Sequence, residues 1–318
     1  MIQLHVWGYQ DEVSIISPHC IATTWLLNLV LTPLNVPFKI ITSNNTKLSE
    51  LNQLPVLIIS EDEKYDGYYS IAKYLVKTYN PSNLYITSDF KENLLNISII
   101  NYLETRFEYI NLYNLCSNKQ NYENYTRKLF TKYFKFPWMY NQSLKFYNES
   151  IEKIKILGLN SKNSNNFFKF DKENDNEVIA ETETFNDDDN ELIVEKEEEE
   201  GIKPISGLHE KSLLQKSKTK QILKESKASM RFLLLLEKYL KQLQSLKKEK
   251  SDQQFFFDED LPSPSDILFS AYLYCLTYED LPDKFIKNYL VQVDGLNVSD
   301  FKKVGQPSTQ TLDISNKE

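Results

Sequence analysis

The tetrapeptide Ser17-Pro18-His19-Cys20 holds the residue types in this chain best suited to chemistry. Its spacing is that of a redox C-P-x-C motif in which serine stands in place of the first cysteine. A hydroxyl at the start of a helix can donate to a thiolate, and the helix N-terminus favours that negative charge. The same residues have a plainer meaning. Ser followed by Pro is an N-cap followed by proline at the first helical position. Ser, Thr, Asp and Asn are the usual caps, so capping is the favoured role for Ser17. Cys20 then falls within the first turn, one position past where a nucleophile is expected. It reads as a small, inert apolar residue. His19 reads as a surface residue of that turn.

Other chemistry is thinly supplied. Cys20, Cys116 and Cys275 are far apart, with no CxxC pair, which excludes a disulfide framework and a cysteine zinc site. His5, His19 and His209 are scattered, and no HExxH or EF-hand loop occurs. None of the seven glycines forms a GxGxxG or a Walker A loop. Three scattered histidines support no Ser/His/Asp set. Paired carboxylates abound between Asp171 and Glu200, but a segment without fixed geometry cannot hold them for catalysis. No catalytic, cofactor or metal residues are expected, and the chain reads as a non-enzyme.

The elements that would position Ser17 are legible as an alternation of strands and helices over residues 1–88. Ile2–Gly8 alternates apolar and polar residues and predicts a strand. Ser17–Leu31 has a helical period that Pro33 ends. Phe38–Thr42 is β-branched, a second strand, and Leu54–Ile59 is a third. Tyr65-Asp66-Gly67 reads as a turn. Ile71–Tyr79 is amphipathic, with Ile71, Tyr74, Leu75 and Tyr79 on one face. Strand–helix–strand units imply a small sheet covered by helices. From residue 89 the pattern is helical, with candidates at Leu94–Tyr113, Asn121–Tyr140 and Ser143–Leu157. The run Phe136-Pro137-Trp138 breaks the second of these. Leu213–Leu246 predicts a long helix with Leu233, Leu236, Leu240 and Leu243 on one stripe. Ser263 and Asp266 have the S-x-x-D form of a capping box. They lead into Ile267–Leu276, apolar nearly all round and therefore a buried helix. The expected divisions are 1–88, 89–160, an acidic insert at 161–210, 211–292 and a loose tail at 293–318.

Length and charge bound the rest. A chain of 318 residues has room for about two domains. Its 13% aromatic content is more than a wholly disordered chain would carry. The net charge of −8 argues against nucleic acid. That total conceals a net −13 over Asp171–Glu200 and +9 over Ile202–Lys250. The first block repels itself and reads as disordered. The second reads as a helix whose lysines are solvated or face an acidic or lipid partner. No apolar run reaches the ~18–20 residues of a spanning helix. Neither a signal peptide nor a matrix presequence is recognised at the start, and the polar Thr309–Glu318 does not read as an anchor.

A small β-α-β-β-α region followed by an all-helical one resembles the glutathione-transferase architecture. Leu54-Pro55 opens the third strand where that fold has a cis-proline, and Ser263–Asp266 resembles the capped core helix of its second domain. The fold class is thus α/β plus all-α, with a thioredoxin-like N-terminal domain, a helical C-terminal domain and a disordered acidic insert. More closely, LHVWG, SIISPHCIATTWLL, ITSNNTKLSELNQLPVLI, GYYSIAKYL and NYENYTRKLFTKYFKFPWMYN resemble fungal metaxin-like subunits of the mitochondrial sorting and assembly machinery, the SAM or TOB complex. The likeness covers residues 1–150 well and Pro262–Leu290 more weakly.

The resemblance implies a non-catalytic subunit attached peripherally to the cytosolic face of the mitochondrial outer membrane. Its partners would be the complex's β-barrel core subunit, a second glutathione-transferase-like subunit and a receptor of the TOM translocase. Its role would be to assist insertion and release of β-barrel precursors and to couple the machinery to TOM. Tyr133, Phe136, Trp138 and Tyr140 are the candidate partner interface, because aromatics are favoured anchors. The competing reading is a glutathione-dependent transferase or reductase. Against it, an acidic residue or Gln followed by Ser precedes the second helix in those enzymes and holds the ligand's carboxylate. Here the matching pair is Asp66-Gly67, with Ser70 a distant substitute.

Overall fold

A computed structural model describes residues 1–60, 62–156, 207–247, 255–258 and 260–292. The tail and residues 161–206 of the acidic insert lie outside the described residues; its last four residues, 207–210, are helical instead. Of the described residues, those up to Ile154 and those from Leu235 on form one compact unit, and those between them form another. The long helix α8 (Gly207–Lys247) belongs in part to each.

The first unit opens with β1 (Ile2–Tyr9), β2 (Glu12–Val13), α1 (Pro18–Leu31), β3 (Phe38–Ser43), β4 (Val56–Ile58), β5 (Lys64–Asp66) and α2 (Tyr68–Tyr79). β1 runs parallel to β3, from Ile2 opposite Phe38 to Trp7 opposite Ser43. It runs antiparallel to β4, with Leu4 opposite Leu57. β5 closes the far edge against β4. The sheet is therefore mixed. Leu4, Val6, Val56 and Leu57 are its fully buried residues, as the alternation in β1 requires. The predicted turn at Tyr65-Asp66-Gly67 is instead the end of β5 followed by Gly67, which N-caps α2 at φ +76°. Turn-forming residues end that strand, but the ladder from Val56–Asp66 to Ile58–Lys64 makes its body extended. Gly8 has no room for a side chain, since a Cβ there would sit 2.2 Å from the Glu12 carbonyl oxygen. The β1–β2 hairpin closes over it.

The peptide Leu54-Pro55 is cis, as the resemblance implied, and a second cis bond joins Phe136 to Pro137. Helical elements follow. α3 (Phe90–Tyr102) passes through a π turn (Leu103–Phe107) into α4 (Glu108–Leu112), and a second π turn spans Tyr113–Ser117. α5 (Lys119–Asn121) leads through a third π turn (Tyr122–Thr126) into α6 (Arg127–Tyr133), and α7 (Trp138–Lys155) comes next. The break expected at Phe136-Pro137 separates α6 from α7.

α9 (Pro264–Leu276) is the central helix of this unit, and α10 (Phe285–Gln292) ends the described chain. Every residue of α9 except Tyr274 is buried. Its N-terminus therefore has no water to satisfy its first amides and needs protein acceptors. The capping box supplies them. Ser263 Oγ accepts from the Asp266 amide at 3.4 Å, and Asp266 Oδ2 accepts from the Ser263 amide at 2.9 Å. Asp266 Oδ1 also accepts from the Phe256 amide at 2.9 Å. Tyr68 of α2 donates its hydroxyl to the Pro264 carbonyl at 2.5 Å, which ties α2 to the start of α9.

Candidate functional site

α1 and its surroundings place the chemistry-bearing tetrapeptide. Ser17 has extended backbone angles, φ −120° and ψ 99°, and its Oγ accepts from the Cys20 amide at 3.4 Å. It is the N-cap, and Pro18 sits where no helical N–H is needed. α1 is buried on most sides, and Thr23 and Thr24 donate their hydroxyls back to the His19 and Cys20 carbonyls at 2.7 and 2.8 Å. Cys20 is fully buried, and its Sγ accepts from the Trp7 amide at 3.4 Å. Burial pushes its thiol up to about 12, against the opposing pull of the Ser17 and Trp7 contacts. A thiol held protonated in this way is no nucleophile at neutral pH. The apolar reading of Cys20 fits this placement.

The second half of the site lies at the start of α2. The Gly67 amide donates to the Pro55 carbonyl at 3.0 Å, which fixes the β4–β5 end against the cis-proline. The Asp66 carboxylate turns away to the preceding loop, where Oδ2 accepts from Ser49 Oγ at 2.7 Å and from the Glu50 amide at 3.0 Å. Gly67 brings no side-chain hydrogen bond to the helix start. The acidic residue therefore secures its own loop, and the hydroxyl that would grip a ligand carboxylate is replaced by hydrogen.

A polar cluster that the sequence reading did not find stands beside α1. His19, expected on the surface, keeps only a fifth of its side chain exposed. Its Nε2 lies 3.3 Å from the Tyr272 hydroxyl of α9 and 3.7 Å from Glu104. The Tyr272 hydroxyl also donates to Glu108 Oε2 at 3.2 Å. Burial lowers the His19 pKa to about 4, helped by the charge of Lys153. Burial raises Glu104 to about 7. It raises Glu108 to about 7 as well, with Lys153 and the Tyr272 hydrogen bond opposing and Glu104 adding to the rise. His19 is thus neutral near pH 7, and its approach to Glu104 is a polar contact rather than an ion pair. The pair of carboxyls can hold and release a proton near neutrality. No nucleophile accompanies them in the contacts just described, since Cys20 is engaged with the sheet. Among the described residues no three His, Cys, Asp or Glu side chains converge to hold a metal ion. The spacing of Glu104 and Glu108, four residues apart and each directly following a buried residue, Leu103 and Phe107, was the sequence signal for this cluster.

The four candidate interface aromatics lie at the α6–α7 corner. Phe136, Trp138 and Tyr140 are 76%, 61% and 50% exposed. Phe136 meets Tyr140 edge-on, with ring centroids 6.2 Å apart. Tyr133 differs, being half-buried with its ring 6.3 Å from that of Trp7 and its carbonyl accepting from Asn44 Nδ2. Tyr133 belongs to the packing beneath the corner, and the other three form its outer surface.

A mixed sheet with a cis-proline before its third main strand, followed by helices around a capped, buried core helix, defines a glutathione-transferase-like fold. Solved structures agree on the fold. Glutathione transferase GSTFuA3 from Phanerochaete chrysosporium has a TM-score of 0.51 at 12% identity, covering 98% of this chain and 96% of that one. Glutathione S-transferase CsGST83044 of Ceriporiopsis subvermispora, solved in complex with glutathione, has a TM-score of 0.50 at 13% identity, covering 98% of each. No curated protein sequence matches the chain. The family described as outer mitochondrial membrane transport complex protein, Tom37, matches residues 20–147, and the Tom37 C-terminal domain matches residues 185–312. The two matches take in well over half of the chain, which belongs to this metaxin-like family of mitochondrial outer-membrane transport complex proteins.

Proposed function

We propose that the chain is a non-catalytic subunit of the sorting and assembly machinery, placed on the cytosolic face of the mitochondrial outer membrane. It assists insertion and release of β-barrel precursors and couples that machinery to the TOM translocase. Its partners are the β-barrel core subunit, a second glutathione-transferase-like subunit and a TOM receptor. The observation that carries this reading is the family match in both parts of the chain. The site supports it from the other side. Cys20 is buried and engaged with Trp7, Ser17 caps α1, Asp66 is engaged by Ser49 and Glu50, and glycine stands where a ligand-binding hydroxyl would be. The fold's scaffold is kept while its ligand contacts are spent on the protein itself.

The physical need is plain. An unfinished barrel exposes strand edges that pair with any neighbour until they close. A rigid subunit beside the insertase can stabilise it without forming or breaking a bond. Among the described residues no helix is long and apolar enough to cross a membrane, so an exposed surface such as the α6–α7 corner suits attachment. The test is co-purification from mitochondria dissolved in mild detergent. A barrel-forming outer-membrane protein should accompany the tagged chain. Its complete absence, with retention of the chain on immobilised glutathione, would favour the transferase instead.

A further inference from the structure

The α6–α7 corner carries a charge pattern as well as exposed aromatics. From Asn124 to Asn148 the chain holds Arg127, Lys128, Lys132, Lys135 and Lys145 and no acidic residue. All five cations are exposed. They stand in the same two helices and connection as Phe136, Trp138 and Tyr140, and Leu144, one turn beyond Tyr140, is 52% exposed. We propose that this corner docks on the anionic lipid headgroups of a membrane surface, which rests on the reading that the chain works at the outer membrane.

The choice of a lipid rather than a protein occupant follows from the residue types. Protein interfaces are enriched in Trp, Tyr and Arg but depleted of Lys. Four of the five cations here are lysines. Lysine suits an anionic headgroup layer, where each Lys or Arg near the surface strengthens binding about fivefold. Trp and Tyr favour the membrane–water boundary, where an apolar ring and a polar edge are both satisfied. Phe136 and Leu144 supply apolar surface that water covers poorly. The acids that face the corner are few. Glu149 reaches Lys145 at 3.8 Å, and the charge of Glu12 is felt at Tyr133. Glu123 stands one turn before Arg127, and Lys128, Lys132 and Lys135 have no acid within their own stretch of sequence.

The test uses the full chain with vesicles of phosphatidylcholine and phosphatidylserine in equal parts, and with phosphatidylcholine alone. The chain should sediment with the mixed vesicles and not with the neutral ones, and added salt should release it. The double variant Lys132→Gln/Lys135→Gln should bind about 25-fold more weakly, at about fivefold per charge. Brominated lipid should quench tryptophan emission in the parent and not in Trp138→Phe. These side chains are exposed, so thermal melting of the variants should match the parent, which separates lost docking from lost folding. A double variant that binds as the parent does would overturn the proposal and place lipid binding elsewhere, such as the basic stretch of residues 202–250. A parent that ignores the mixed vesicles also overturns it. If that parent still co-purifies with a barrel protein and Trp138→Ala breaks the association, the corner is a protein interface and the subunit reading stands. If co-purification fails as well, the subunit reading falls with it.

Discussion

Replacing Asp266 by alanine tests how the buried core helix is held. The carboxylate is 3% exposed and accepts from the Phe256 amide, the Ser263 amide and the Ser263 hydroxyl at 2.9, 2.9 and 2.5 Å. Truncation leaves two amides without acceptors in a site closed to water. An unsatisfied buried donor costs about 1–3 kcal/mol, so the two together cost about 2–6 kcal/mol. Part of that is offset, because the variant no longer has to desolvate a carboxylate and alanine is a good helix former. A net loss of about 3 kcal/mol is expected, large against the ~5–15 kcal/mol of a typical domain. Asp266→Asn keeps one carbonyl oxygen for one of the two amides and should lose about half as much. Urea unfolding should be followed by far-ultraviolet circular dichroism and by tryptophan fluorescence. Trp25 lies edge-on to Tyr274 of α9 at 5.6 Å, so its emission reports this helix. Agreement of the two probes checks that one transition is being measured. A loss within about 0.5 kcal/mol for the alanine variant, the range of ordinary surface changes, would refute the capping argument.

Other outcomes follow from the site. Cys20, Cys116 and Cys275 are all buried, and burial raises Cys20 and Cys116 to about 12. Iodoacetamide at pH 7 should therefore label none of them in the folded chain and all three in urea; rapid native labelling of Cys20 would contradict its assignment as core. Ser17→Ala should cost about 1 kcal/mol as a lost cap, and on the subunit reading neither the parent nor the variant should be retained on immobilised glutathione. Glu104 and Glu108 bind a proton more readily in the fold than in the unfolded chain, whose carboxyls titrate near 4.5. Their contribution to stability is therefore present below about pH 4.5 and lost as pH rises through about 7. His19 acts in the opposite sense, contributing above its ordinary 6.5 and losing that contribution as pH falls toward about 4. Glu104→Gln/Glu108→Gln should gain stability relative to the parent as pH rises from 5 to 8, read from urea midpoints, whereas parallel profiles would show that the cluster does not titrate as described.

Much of the fold was legible because its signals are local. Ser17-Pro18 marks the start of α1, the Ser263–Asp266 pair marks the start of α9, and the apolar run after it announces a buried helix. Alternation in β1 names its buried face. β5 was hidden because three residues are too few to show a period and its last residue, Asp66, and the Gly67 that follows are turn formers. The three π turns were hidden too, since an extra residue per turn shifts the apolar phase without changing composition. In the site, Ser17 could be read because capping depends on its own first turn, and Cys20 because an unpaired cysteine is ordinarily a small buried residue. His19 could not. Its surroundings come from Glu104 across one interface and from Tyr272, which is 253 residues away in the chain. Only the packing of α1 against α9 and the first π turn brings those groups together. The aromatic corner was half legible, since the break at Pro137 exposes Phe136, Trp138 and Tyr140 while the chain before it folds Tyr133 inward.

Assembly of a newly imported β-barrel precursor, followed on native gels in mitochondria depleted of this chain, tests the proposed role most directly. The mature barrel complex should form more slowly and less completely, with restoration by the parent protein and also by Ser17→Ala. Assembly at the normal rate and yield without the chain would contradict a role in β-barrel insertion.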